Sequence, residues 1–237
     1  MTTNPKLNVR RAGERGHANH GWLDSWHTFS FADYYDPEHM GFRSLRVIND
    51  DRIAAGGGFP THPHRDMEIF SYLLEGSLAH QDSMGNRRVL KSGEIQMMRA
   101  GSGVQHSEFN PSSTESAHLL QIWITPATRG LKPAYTEWTP VPGHENDVKT
   151  LVISPDGRDG SATIAQDASI YLLKLREGDV ARHELLPGRG MWLHLAKGKA
   201  AVNGINLVAG DAASLEEAGE IEVTSTGTAE AVLFDLK

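Results

Sequence analysis

GGGFPTHPHRDME (Gly56–Glu68), answered further along by VQHSEFN (Val104–Asn110), is the part of this chain whose reading decides the rest. In an extended backbone, side chains at i and i+2 share a face. His62 with His64, and His106 with Glu108, therefore each present two potential metal ligands to one point. Pro63 donates no backbone hydrogen bond and holds an extended φ, which suits a sheet edge or mouth rather than a central strand. A single His-x-His arises easily by chance. A second ligand pair on another extended segment makes the two read as walls of a shared cavity. Glycines punctuate both segments: Gly56, Gly57 and Gly58 precede the first pair, Gly76 follows it and Gly93 opens the turn before the second.

The 237 residues carry 23 basic and 30 acidic side chains, a net charge of −7, and 39% of them are apolar. Such a chain is long enough for one large or two modest domains, each with a core. No Lys/Arg block interrupts the acidic balance, so nucleic acid and anionic membranes are disfavoured as direct partners. The start, Met1 to Arg11, lacks an apolar h-region, and no run approaches the length of a membrane-spanning helix. A soluble cytoplasmic protein is expected. There is no cysteine, which excludes disulfides, thiolate catalysis and Cys-bound zinc or iron–sulfur clusters. Any metal must be held by His and carboxylate.

Short β-branched or aromatic runs separated by Gly, Asp, Asn and Pro predict an all-β sandwich or barrel with little helix. The expected strands are Ser44–Asn49, Met67–Leu74, Ser77–Asp82, Glu94–Met98, Val104–Phe109 and Leu119–Thr125. Ser83–Asn86 reads as a hairpin turn between the third and fourth of these. Pro126, Pro133, Pro140 and Pro142 punctuate Thr125–Gly143, which reads as an inter-domain connection with a short helical turn. A second set follows: Leu151–Ser154, Ile170–Leu175, Met191–Ala196, Ala200–Asn203, Ile221–Thr224 and Ala231–Leu236. Gly178–Gly204 repeats the outline of the first half, but Ala181–Glu184 and Gly188–Gly190 stand where a His-x-His would be needed. His183 and His194 are read as packing or surface residues.

The order G-x5-H-x-H-x3-E, then G…H-x3-N ending at Asn110, is similar to the two-part signature of the cupin barrels, with a longer gap between Gly93 and His106. The stretches Glu14–Pro37, Gly41–Asp51, Thr61–Asn86, Ala100–Ser112 and Gln121–Pro126 resemble the pirin-like bicupins, within them the bacterial branch described as quercetin 2,3-dioxygenases. The resemblance implies an all-β fold of two cupin-type jelly-roll barrels. Residues 1–130 would form the metal-binding barrel, 131–148 a connection and 149–237 a barrel without a metal site. It further implies that His62, His64, His106 and Glu108 hold one divalent metal, usually iron.

Three neutral imidazoles and one carboxylate suit Fe(II), Mn, Co, Ni, Cu or Zn. Four protein ligands on a six-coordinate ion leave positions open for chemistry. The implied reaction is opening of the heterocyclic ring of a flavonol or related phenolic by O2 with release of CO, with Glu108 as ligand or as acceptor of the hydroxyl proton. Glu68 competes for the carboxylate position, because the common cupin pattern takes its acid from there. His80 and Asp82 share a face and either orient a ligand histidine or close a hairpin ion pair. His17, His20 and His27, among Trp22, Trp26, Phe29 and Phe31, are read as core and barrel lid. A different class of function is a metal-loaded regulator binding a protein partner, as other members of the family do; a third is a cupin isomerase. An apolar pocket beside an open metal position would favour the enzyme, and a closed site under an exposed patch the regulator.

Overall fold

The computed structural model describes residues 7–144 and 147–237. Of the Met1–Arg11 start read above for a leader, residues 1–6 lie outside the described residues, as do residues 145 and 146 of the expected connection. Among the described residues the regular structure is β-strand, apart from 3-10 turns at Ala12–Glu14 and Arg158–Gly160. None contains a helix long and apolar enough to cross a membrane. The chain divides into two compact units.

The first unit comprises residues 16–140 and 162–166. Its larger sheet runs in the order Ala134–Trp138, Ile95–Arg99, Glu68–Glu75, Ala117–Ile124, Leu45–Ile53, Leu23–His27, Gly16–Asn19. Its smaller sheet runs Gly58–His64, Val104–Phe109, Ser77–Asp82, Arg87–Lys91. The two sheets face each other. Leu73, Leu119, Ile53 and Leu23 of the larger sheet form one buried cluster with Leu78 and Leu90 of the smaller, and Phe59 packs against it. Burying these side chains stabilises the sandwich by roughly 1.5–3 kcal/mol each. Gly58–His64 is an edge strand of the smaller sheet, which is where Pro63, lacking a ladder donor, is tolerated.

The second unit joins residues 7–15 to the described part of 141–161 and to 167–237. One sheet runs Asn8–Arg10, Ala212–Leu215, Gly190–Val202, Ala229–Leu236, Ala168–Leu175, Lys149–Ser154. Val180–Leu185 pairs with Gly219–Thr224, and the far end of Gly190–Val202 pairs with Gly219–Thr224 and Ile205–Val208. Met191–Ala196 and Ala200–Val202, expected as parts of separate strands, belong to this single long strand, and Asn203 lies in the turn that follows it. A bulge between Leu195 and Lys197 bends the strand.

Several expected boundaries shift. Asn8–Arg10 pairs with Ala212–Leu215, so the start of the chain completes the second unit rather than the first. The stretch read as a connection contains the strand Ala134–Trp138, paired with Ile95–Arg99, and no helical turn. The Ser83–Asn86 turn joins Ser77–Asp82 to Arg87–Lys91, a strand absent from the sequence reading because its charged, exposed residues mask the apolar pattern. Asp82 shapes the turn, its carboxylate accepting the backbone N–H groups of Met84 and Asn86 at 2.9 and 3.0 Å.

Gly58 brings the backbone of its strand close to that of Val104–Phe109. A Cβ there would stand 2.4 Å from the Glu108 carbonyl oxygen and 2.6 Å from the Phe109 Cα. Gly58→Ala is expected to destabilise the protein by about 1–3 kcal/mol, the scale of overpacking. Gly13→Ala, whose Cβ meets nothing within 4 Å, should stay within about 0.5 kcal/mol. Urea unfolding of both variants checks this.

Candidate metal centre

Strand register brings the ligand pairs together. His106 stands directly opposite His62, and Val104 opposite His64, so His64 is the diagonal neighbour of His106. The register shifts between His106 and Glu108, which faces Phe59. An extra residue of Gly58–His64 is therefore taken up by a bulge at Pro60 and Thr61. Val104, His106 and Glu108 alternate with exposed or half-exposed Gln105, Ser107 and Phe109, so the inward face of this strand carries the polar groups.

His62 Nε2 and His64 Nε2 each lie 3.1 Å from His106 Nε2. Burial, and then the neighbouring histidines, push His64 down to about 4 and His106 down to about 3. At neutral pH both rings are uncharged and offer lone pairs. His62 Nδ1 donates to the Pro60 carbonyl at 2.8 Å, which leaves its Nε2 as the ligating nitrogen. His106 Nδ1 is buried without a partner among the described residues. Its ring is held by packing instead, with centroids 4.5, 4.9 and 5.2 Å from those of His62, His64 and His80. Three lone-pair nitrogens crowded on one point fit a borderline metal ion.

Glu108, 1% exposed, lies within ligand span of His106 and His80 rather than of all three histidines. Its Oε1 accepts Ser71 Oγ at 3.1 Å and Gln96 Nε2 at 2.6 Å, and its Oε2 accepts Gln121 Nε2 at 2.8 Å. These donors missed by the sequence reading form a row. Gln96, Ser71, Gln121, Asn49 and His27 stand opposite one another on successive strands of the larger sheet. All are buried, and His27 Nδ1 reaches Asn49 Oδ1 at 2.9 Å. The available signal was a lone polar residue inside each apolar run, as in EIQMM (Glu94–Met98) and LLQIWI (Leu119–Ile124).

Glu68 lies elsewhere. Both its oxygens accept the Ala165 N–H, at 2.8 and 3.0 Å, and Arg99 stands 3.8 Å away. Burial pushes its carboxyl up to about 7 despite these contacts. His80 and Asp82 meet at 3.4 Å; His80 packs on the His106 ring, and Asp82 shapes the hairpin. Asn110 is a staple, its side-chain amide donating to the Ile53 and Glu115 carbonyls at 3.1 and 2.8 Å. In the second unit His183 is buried between Asp235 and Lys149, 3.0 Å from each, and His194 is wholly buried. Neither is a surface residue.

The three histidines open onto a cavity of about 830 Å³. Trp22, Phe31, Phe59, Ile69 and Trp123 line it, with Trp123 edge-on to His64 at 4.9 Å. His17, His20 and His27 also line it; His17 stacks on Trp26 at 4.2 Å and bonds Asp24 at 2.6 Å. They form wall, outside the two groups of converging ligand atoms.

The pirin family model matches residues 8–124, and that of the quercetinase C-terminal cupin domain matches residues 151–236. The chain is 50% identical over 230 residues to the quercetin 2,3-dioxygenase of Escherichia coli K12, covering 96% of this chain and 97% of that one. It is 39% identical over 222 residues to a pirin-like protein of Caulobacter vibrioides, covering 93% and 95%. The bacterial pirin YhhW from Escherichia coli in complex with nickel(II) superposes with a TM-score of 0.91 at 49% identity, over 98% of this chain and 99% of the other.

Changing His62, His64 or His106 to Ala is expected to lower bound nickel(II) strongly, whereas His183→Ala should leave it unchanged. Metal analysis of the purified variants checks this. Saturating metal should raise the stability of the unaltered protein by about 3 kcal/mol at a hundredfold excess over Kd, and leave the doubly substituted His62/His64 protein unmoved. Glu68 makes a separate expectation about pH. Its folded carboxyl titrates near 7 against an ordinary 4.5, so the stability it contributes is full below about 4.5 and is lost as pH rises through 7. Glu68→Gln should therefore gain on the parent by up to about 3 kcal/mol between these limits, read as the difference in unfolding free energy at each pH.

Proposed function

The chain belongs to the pirin family, and we propose that its first unit is a metal-dependent dioxygenase that opens the heterocyclic ring of flavonols. Two oxygen atoms enter at C2 and C4, and C3 leaves with its own oxygen as carbon monoxide; no external reductant is consumed. The observation that carries this reading is the aromatic-walled cavity of about 830 Å³ directly in front of His62, His64 and His106, a size that accepts a multi-ring ligand. A metal-loaded regulator would call for a closed site under an exposed patch, and the open cavity favours the enzyme.

His62, His64, His106 and Glu108 are the proposed ligands, and iron(II) the proposed ion among those that imidazole and carboxylate donors accept. The bound metal supplies Lewis acidity toward the 3-hydroxyl and a route for the flavonol's electrons to dioxygen. The protein's own groups do the rest. Trp22, Phe59 and Trp123 flank the planar rings and keep bulk water from the reacting carbons. With two hydrogen bonds on Oε1 and one on Oε2, Glu108 has a single position left, on Oε2, which serves either as the fourth ligand or as the acceptor of the 3-hydroxyl proton. Gln121 holds that oxygen in place from the sheet behind it.

Metal-reconstituted protein should consume oxygen and release carbon monoxide from quercetin under air. Glu108→Gln keeps a coordinating oxygen but is no base at neutral pH. Once reloaded, it should lose turnover by roughly 10² or more. A fully metallated protein that binds flavonol yet releases no carbon monoxide above the free-metal control would overturn the enzyme reading.

A further inference from the structure

One buried carboxyl opens into the same cavity without belonging to the proposed ligands. Asp51 is 2% exposed and lines the cavity wall. Its Oδ1 accepts the hydroxyl of Ser25, the residue opposite it on Leu23–His27. Among the described residues nothing donates to Oδ2. Asp51 shares a strand face with Asn49, about 7 Å further along by ordinary strand spacing. Asn49 faces Gln121, whose amide holds Glu108. The carboxyl is thus set one strand step to the side of the reacting position. The cavity it opens into is walled by Trp22, Leu23 and Phe59 together with polar groups that include His27 and Asn49.

A carboxyl oxygen on the cavity wall that no described side chain or backbone group donates to is open to a ligand hydroxyl. We propose that Asp51, presented by Ser25, is a hydrogen-bonding subsite for a second, non-reacting hydroxyl on a polyhydroxylated aromatic ligand whose reacting ring lies at the histidines. The proposal rests on the flavonol reading above and makes Asp51 a positioning and specificity residue. Burial, opposed by the Ser25 hydrogen bond and aided by the nearby Asp50 and Glu108 charges, pushes its carboxyl up to about 7. At neutral pH a large fraction is therefore protonated and both donates and accepts, as a phenolic hydroxyl does.

The test compares quercetin with the flavonol that carries the 3-hydroxyl alone, titrated calorimetrically without oxygen into nickel(II)-loaded protein. The unaltered protein should bind quercetin about tenfold more tightly than the mono-hydroxylated flavonol. Asp51→Leu and Asp51→Ala should abolish that preference while leaving the Kd for the mono-hydroxylated flavonol within about threefold. Circular dichroism checks folding, and should the Leu variant not fold, the smaller Ala variant decides. A preference that survives both substitutions, or a loss that is equal for the two flavonols, would overturn the subsite while leaving the flavonol reading standing. Failure of the unaltered protein to bind either flavonol would overturn both.

Discussion

A carboxylate sealed between two sheets has to be matched by donors, and Glu108 imposes that condition on the whole first unit. Its oxygens take hydrogen bonds from Ser71, Gln96 and Gln121, each on a different strand of the opposing sheet. Those strands must then be aligned so that the three polar residues share one row, and the observed register does this. A slip of one residue in any of them would turn its polar side chain to the other face and put an apolar one against the carboxylate. Register here is specified by polar groups as well as by the apolar pattern. Buried networks of this kind are stabilising only when every member is satisfied.

The histidines follow from the same arrangement. His106 lies two residues from Glu108 on the same inward face, and its cross-strand neighbours on the edge strand are His62 directly and His64 on the diagonal. Burial, and then the neighbouring rings, keep His64 and His106 uncharged, because two imidazolium ions with nitrogens 3.1 Å apart could not coexist in so little water. Pro63 sits between two of them without breaking a ladder, since an edge strand leaves alternate backbone groups unpaired. The bulge at Pro60 and Thr61 supplies the offset that lets Glu108 lie beside Phe59 while His106 still meets His62.

Much of this was legible in sequence. Ser77–Asp82 and Val104–Phe109 have the bounds that alternation and turn residues assign them, and i, i+2 parity places the three histidines on one cavity. What escaped was non-local or masked. Asn8–Arg10 is too short to carry a periodic signal and finds its partner in Ala212–Leu215 across nearly the whole chain. Arg87–Lys91 hides its strand character behind exposed charge, and Ala134–Trp138 behind flanking prolines. The donors to Glu108 look, one at a time, like isolated polar residues in apolar runs. Only pairing register makes them a row. Glu68 shows the reverse problem, since its motif position is right but its side chain turns to Ala165.

The second unit shows that such a row is no requirement of the sandwich. There Tyr171, Leu233, Leu193, Ala213 and Val9 stand opposite one another on successive strands, and all belong to or pack against one apolar cluster. Apolar residues fill such positions at no desolvation cost, whereas a buried Gln or Asn without its partners destabilises. His183, inward on its strand, is tied to Asp235 and Lys149, and Asp235 is tied in turn to Arg189. This polar cluster closes on itself and leaves no lone pairs directed at a common point. The same kind of β-sandwich is thus built around an apolar row in one unit and a polar row in the other. The polar row of the first unit is best accounted for by what it holds: a carboxylate fixed beside neutral histidines, facing an aromatic cavity.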